Sequence, residues 1–213
     1  MPDMSDGSGN VAADLDAQML TAAERGDVHG VVALIQAGAD VGVSDHRGRT
    51  AVTIAAFSGH AEVVTELVAA GADVDVQDDE RYNAVLSCGV TGDVEVLRSV
   101  LRGRPDLTIR NKHGGVAIIP AAERGHVALV RELLDATDIA VDHVNDLGWT
   151  ALLEAVMLGD GGAAHVEIVR LLLQGGADRA IADPEGRTAL DHARERGHVE
   201  MVALLEAPRG VAS

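Results

Sequence analysis

Apolar residues alternate between two arrangements along this chain. A short, nearly continuous apolar block such as Ala51–Ala56 is followed, after a glycine turn, by Val63, Val64, Leu67 and Val68 at the i, i+1, i+4, i+5 spacing of one helix face. The block predicts a short inner helix and the spaced set an outer helix. Gly71 then stops the outer helix, because a glycine there can turn left-handed and satisfy the last carbonyls. Ala72-Asp73-Val74 leads out along an extended finger to an Asp-x-x-Gly-like turn, and Gly38-Ala39-Asp40 and Gly176-Ala177-Asp178 repeat the device. Thr50, Thr150 and Thr188 stand where a hydroxyl accepts from the exposed N–H groups of an inner-helix start. Inner helices are predicted near 17–25, 50–58, 83–91, 117–124, 150–158 and 188–196.

The arrangement recurs with a period. Gly26-Asp27, Gly59-His60, Gly92-Asp93 and Gly125-His126 align as the same inter-helix turn at steps of 33 residues. From His126 to His165 the step is 39, and it returns to 33 at His198. The extra residues fall within Gly159–Ala164 (GDGGAA) and are expected to bulge from the turn, leaving the outer helix to start near His165.

The segments GRTAVTIAAFSGHAEVVTELVAAGADV and EGRTALDHARERGHVEMVALLE resemble the ankyrin repeat, and the likeness runs from about Leu15 to Glu206. LGWTALLEAVMLGDGGAAHVEIVRLLL, Leu147 to Leu173, resembles a unit of small free-standing bacterial ankyrin-repeat proteins. The resemblance implies an all-α fold, an ankyrin-repeat solenoid of six stacked helix pairs with extended β-turn fingers, whose inner helices and finger tips line a concave face. The expected organisation is a flexible tail at 1–13, one domain at 14–207 and a tail at 208–213. Within the domain the N-cap is 14–44, the repeats are 45–77, 78–110, 111–144 and 145–182, and the C-cap is 183–207. The family's Thr-Pro-Leu-His start loses its His in every repeat, so leucine and isoleucine packing is expected in its place. Val116 removes a capping hydroxyl, and Pro120 implies that its helix starts late, with the proline near the first position.

Composition narrows the functions. Of 213 residues 47% are apolar, yet Phe57, Tyr82 and Trp149 are the only aromatics, so aliphatic side chains must fill the core. A formal charge of −17 argues against nucleic acid and anionic membranes as partners. The single Cys88 forms no internal disulfide, no signal-like or membrane-length apolar run is present, and a cytoplasmic monomer is expected. Sixteen of seventeen basic residues are arginine, the exception being Lys112, a bias that resembles coding by a GC-rich bacterial genome. No zinc, phosphate-loop or nucleophile motif is present, and no cofactor is expected.

The aromatics fall at variable repeat positions on the concave side, Tyr82 and Trp149 just before an inner-helix cap and Phe57 near an inner-helix end. With Met157 and a local strip of Arg47, Arg49, Arg81, Lys112, His113 and Arg124 they form the candidate partner-binding set. His60, His126, His165 and His198 occupy the family's structural Gly-His turn. Glu154 and His192 hold equivalent inner-helix positions of successive repeats, where a bond between them is expected to lower the cost of burying them. The reading is a non-catalytic protein–protein interaction scaffold or regulator. The alternative is an enzyme or small-molecule-binding protein with a pocket near Trp149, Glu154 and His192.

Overall fold

The computed structural model describes residues 7–208, with side chains from residue 14 onward. The described residues form twelve α-helices and no β-strand. They fall into six pairs: α1 (Gly7–Arg25) with α2 (Val28–Gln36), α3 (Ala51–Phe57) with α4 (Ala61–Ala69), and α5 (Ala84–Thr91) with α6 (Val94–Leu101). The other three are α7 (Ile118–Glu123) with α8 (Val127–Ala136), α9 (Ala151–Met157) with α10 (Ala163–Gln174), and α11 (Ala189–Arg196) with α12 (Val199–Glu206). Of the two expected tails, residues 1–6 and 209–213 lie outside the described residues. Helical backbone begins at Gly7, well ahead of the expected position 17.

Contacts divide the chain into two compact units. Unit 1 is the chain through Ser87 together with Glu95–Pro105; unit 2 is Cys88–Val94 together with the chain from Asp106. In unit 1, inner helices α1 and α3 pack side by side, as do outer helices α2 and α4. Met19, Ala23, Val31, Val52, Val63, Val64 and Leu67 fill the space between the rows and are fully buried. Unit 2 repeats this with α7, α9 and α11 inside and α8, α10 and α12 outside, around Ile118, Leu129, Leu133, Leu153, Ile168, Leu172 and Met201. Each of the valine, leucine, isoleucine and methionine side chains among them stabilises the fold by about 1.5–3 kcal/mol through its removal from water. The repeat period therefore sets the core by stacking small aliphatic faces.

Imidazoles tie successive turns together. His60 Nε2 donates to the Glu24 carbonyl (3.1 Å), His126 Nε2 to that of Val90 (3.0 Å) and His165 Nε2 to that of Glu123 (3.0 Å). A Cβ on Gly26 would lie 2.6 Å from the His60 ring, so only glycine admits the imidazole there. At the insertion the pattern fails: the His198 ring lies over Gly161, and its Nε2 is buried without a hydrogen-bond partner. The insertion itself differs from a simple bulge. Gly162 caps α10, which starts at Ala163 rather than near His165, while Asp160 Oδ1 holds both Gly162 N–H (2.8 Å) and His165 Nδ1 (3.1 Å). Pro120 is the third residue of α7, not the first, still within the turn whose N–H groups have no helical acceptor.

Each finger tip is built around one buried or half-buried acceptor. Asp45, Asp78, Asn111, Asn145 and Asp183 each accept, through Oδ1, the backbone N–H groups two and four residues on, at 2.8–3.1 Å. The chain must then turn left-handed at the fourth tip position, which is Gly48, Gly114, Gly148 and Gly186 in four fingers. In the fifth it is Arg81, at φ 61°. An L side chain there costs about 1 kcal/mol relative to glycine. Arg81→Gly should therefore raise the unfolding free energy by about 1 kcal/mol in chemical denaturation; a loss of stability would show that the Arg81 side chain itself braces the finger.

Candidate partner-binding surface

In unit 1 an aromatic pair interrupts the aliphatic pattern of the repeats. Phe57, the last residue of α3, and Tyr82, just before the α5 cap, meet edge to face with ring centroids 5.5 Å apart. Both are half-buried, so each ring shows one part to solvent and braces the other. Arg47 and Arg81 are exposed at adjacent tips. The tips are joined by the backbone N–H of Asp79, which donates to the Arg47 carbonyl (3.0 Å). At Arg49 the guanidinium is engaged by Asp45 (2.7 Å), and together with backbone donors it outweighs burial to hold that carboxyl below its usual range.

In unit 2, Lys112 and His113 are exposed at a tip and Arg124 at the end of α7, while Trp149 and Met157 are half-buried. The Asp146 N–H donates to the His113 carbonyl (2.9 Å), repeating the link between tips. The last tip cannot do so, because Pro184 has no N–H; its ring sits over Gly148 instead. Sequence reasoning passed over Leu147 and Leu158, which are 54% and 51% exposed on the Trp149 finger and just after α9. Their position beside Trp149 and Met157 in the chain was the available signal.

The expected bond between Glu154 and His192 is not the one that forms. Each reaches nine residues back to the acceptor of its own finger: Asn145 Nδ2 donates to Glu154 Oε1 (2.8 Å), and His192 Nε2 meets Asp183 Oδ2 (2.6 Å). The finger base lies against its own inner helix, so the local partner is reached first. The two pairs invert the chemistry, with a neutral amide at the tip and the acid inside in one, and the acid at the tip in the other. Burial and the nearby Glu123 charge push the Glu154 carboxyl up to about 7, against the Asn145 hydrogen bond. At Asp183 the donors Arg187 N–H, His192 and Glu185 N–H outweigh burial and lower the carboxyl. Cys88 is buried, and burial with the Asp93 charge pushes its thiol far up, the state of an inert filler.

Among the described residues no group of three His, Cys, Asp or Glu side chains is placed to hold a metal ion, and no helix is long and apolar enough to cross a membrane. An open groove of about 580 Å³ lies along α1 and α2, lined by Ala17, Thr21, Ala22, Gly30, Leu34 and Ala37. None of the sequence-selected binding residues lines it.

The model of ankyrin repeats (3 copies) matches residues 19–111, 87–178 and 118–210. The chain belongs to the ankyrin-repeat family. This ankyrin-repeat chain is 50% identical over 76 residues to the putative ankyrin repeat protein YahD of Escherichia coli strain K12, covering 36% of this chain and 38% of that protein. Human ankyrin repeat domain-containing protein 63 is 46% identical over 74 residues, 34% of this chain and 19% of the human one. The aligned part thus spans well under half of either curated relative. An ankyrin repeat domain from Acinetobacter baumannii AYE superposes with a TM-score of 0.84 at 41% identity, covering 88% of this chain and 95% of that one. The ankyrin repeat protein EF0377 matches at 0.84 and 37% identity, covering 88% and 96%.

Glu154 yields a pH prediction. Its carboxyl is raised in the folded state from an ordinary 4.5 to about 7, so the folded protein binds this proton more tightly than the unfolded chain. The stabilisation is complete below about 4.5 and is lost as pH rises through about 7. Glu154→Gln should remove on the order of 2 kcal/mol of this pH dependence, measured as the unfolding free energies of both proteins at pH 5 and pH 8. Parallel pH profiles for the two proteins would show that Glu154 titrates normally.

Proposed function

We propose that this chain is a non-catalytic interaction scaffold or regulator that binds a protein partner through its finger tips and the exposed ends of its inner helices. The observation that carries the reading is the placement of the aromatics. Aliphatic residues fill the core of both units, while Phe57, Tyr82 and Trp149 stand half-buried at variable repeat positions. Rings so placed offer large contact area with little entropy to lose. In unit 1 the contact set is Arg47, Phe57, Arg81 and Tyr82, with Arg49 serving as a strut to Asp45. In unit 2 it is Lys112, His113, Arg124, Trp149 and Met157, extended by Leu147 and Leu158. The membership of an interaction family supports the reading, as does the engagement of Glu154 by Asn145 and of His192 by Asp183 in place of the Glu154–His192 pair on which the alternative drew. A soluble intracellular setting with a protein partner, rather than a nucleic acid or lipid one, fits the charge of −17.

Tyr82→Ala combined with Trp149→Ala tests this. The Tyr82 change removes the ring contact with Phe57 and should cost about 0.5–1.5 kcal/mol of stability. Loss of a partner anchor should cost roughly 2 kcal/mol or more, well over tenfold in affinity. Proteins captured by the immobilised wild-type chain should disappear from the double variant while its circular dichroism stays helical. An unchanged captured set on a folded variant would remove both rings from the surface.

A further inference from the structure

The buried carboxyl of Glu154 has a donor but no counter-charge. Glu154 is 5% exposed, accepts one amide hydrogen bond from Asn145, and among the described residues meets no cationic side chain. A carboxylate in that state is costly unless something positive neutralises it. The same Asn145 accepts the Trp149 backbone N–H at 3.0 Å, so Glu154 and the Trp149 backbone share one anchor. Repeat register adds a second acid. Phe57 touches Tyr82 of the next repeat; Glu123 stands in the place of Phe57 and Trp149 in that of Tyr82 one pair of repeats further on. Glu123 is half-buried, and its charge acts on Glu154. One stretch of unit 2 thus holds Glu123 and Trp149 in the register positions of the Phe57–Tyr82 pair, with Glu154 tied through Asn145 to the base of the Trp149 finger and Met157 at the end of α9.

We propose that this stretch receives an arginine side chain of the partner, its guanidinium lying on the Trp149 ring and bonded by Glu123 and Glu154. The proposal rests on the partner-binding reading above and specifies one contact of it. A planar guanidinium suits the place better than an ammonium ion, because it stacks on an indole while its fork still reaches two carboxylates. It would supply the charge that Asn145, a neutral amide, does not. The acidity of the whole chain draws such a partner in.

Trp149 is the only tryptophan, so its emission reports on this place alone. A random twelve-residue peptide library is selected on the immobilised full chain at pH 8, and the enriched peptides are synthesised with each arginine also replaced by citrulline, its neutral isostere. The expected result is enrichment of peptides that share an arginine, quench or shift Trp149 emission, and lose at least tenfold in affinity on citrulline replacement. The Glu123→Gln and Glu154→Gln proteins should show a comparable loss while their circular dichroism stays helical, since Glu154→Gln relieves a buried charge. Binders without a shared arginine, or with unchanged affinity for both Gln variants, would overturn the arginine site and leave the wider surface standing if Tyr82→Ala still weakens them. A selection that returns no binder would overturn both.

Discussion

A single side-chain oxygen at each finger tip sets the geometry on which the rest depends. The Oδ1 atom of Asp45, Asp78, Asn111, Asn145 or Asp183 collects two backbone N–H groups of its own turn. Those donors would otherwise face solvent at the end of a two-armed loop with no sheet to join. Closing the tip in this way delivers Thr50, Asn83, Thr150 and Thr188 to the cap of the next inner helix, where each accepts from the N–H three residues on. The residues offered to a partner sit between tip and cap, so their direction is decided before any partner arrives.

Variation within that rule generates the chemistry. At two of the three aspartate acceptors a basic side chain meets the carboxyl: Arg49 at Asp45, His192 at Asp183. Where the acceptor is Asn145, the negative charge has moved to Glu154 inside the helix, with an amide between acid and tip. The finger that carries Trp149 is therefore the one whose support contains a buried acid without a cation. Arg81 is a second departure, an arginine held left-handed where four other tips use glycine, and it sits next to the Tyr82 ring. A strained side chain at a protruding tip is a feature that stability by itself does not favour.

The histidines show how local insertions propagate. The Gly-His turns at His60 and His126 carry an imidazole back to a carbonyl of the preceding inner helix, past a glycine of the preceding turn, Gly26 or Gly92, that leaves room for the ring. The residues around Gly159–Gly162 keep a glycine under His198 but not the carbonyl, and its Nε2 is left unpaired. The lengthened α10 and the Asp160 bonds to His165 give the inserted residues a structure of their own.

The chain by itself determined the helix pairs, their period, the Thr50, Thr150 and Thr188 caps and the aliphatic core, because those follow from apolar spacing and from side chains acting on backbone a few residues away. The inner-helix ends were legible to within a residue or two except at the start of α1, which begins ten residues ahead of the expected position 17. The choice of Asn145 for Glu154 and Asp183 for His192 was decided only in three dimensions: nine residues separate each pair in the chain, and only the folding of the finger onto its own inner helix makes that distance short. The contact of Phe57 with Tyr82 and the left-handed turn at Arg81 belong to the same class. Spacing shows which face a side chain occupies, whereas the partner it finds depends on how neighbouring repeats are brought together.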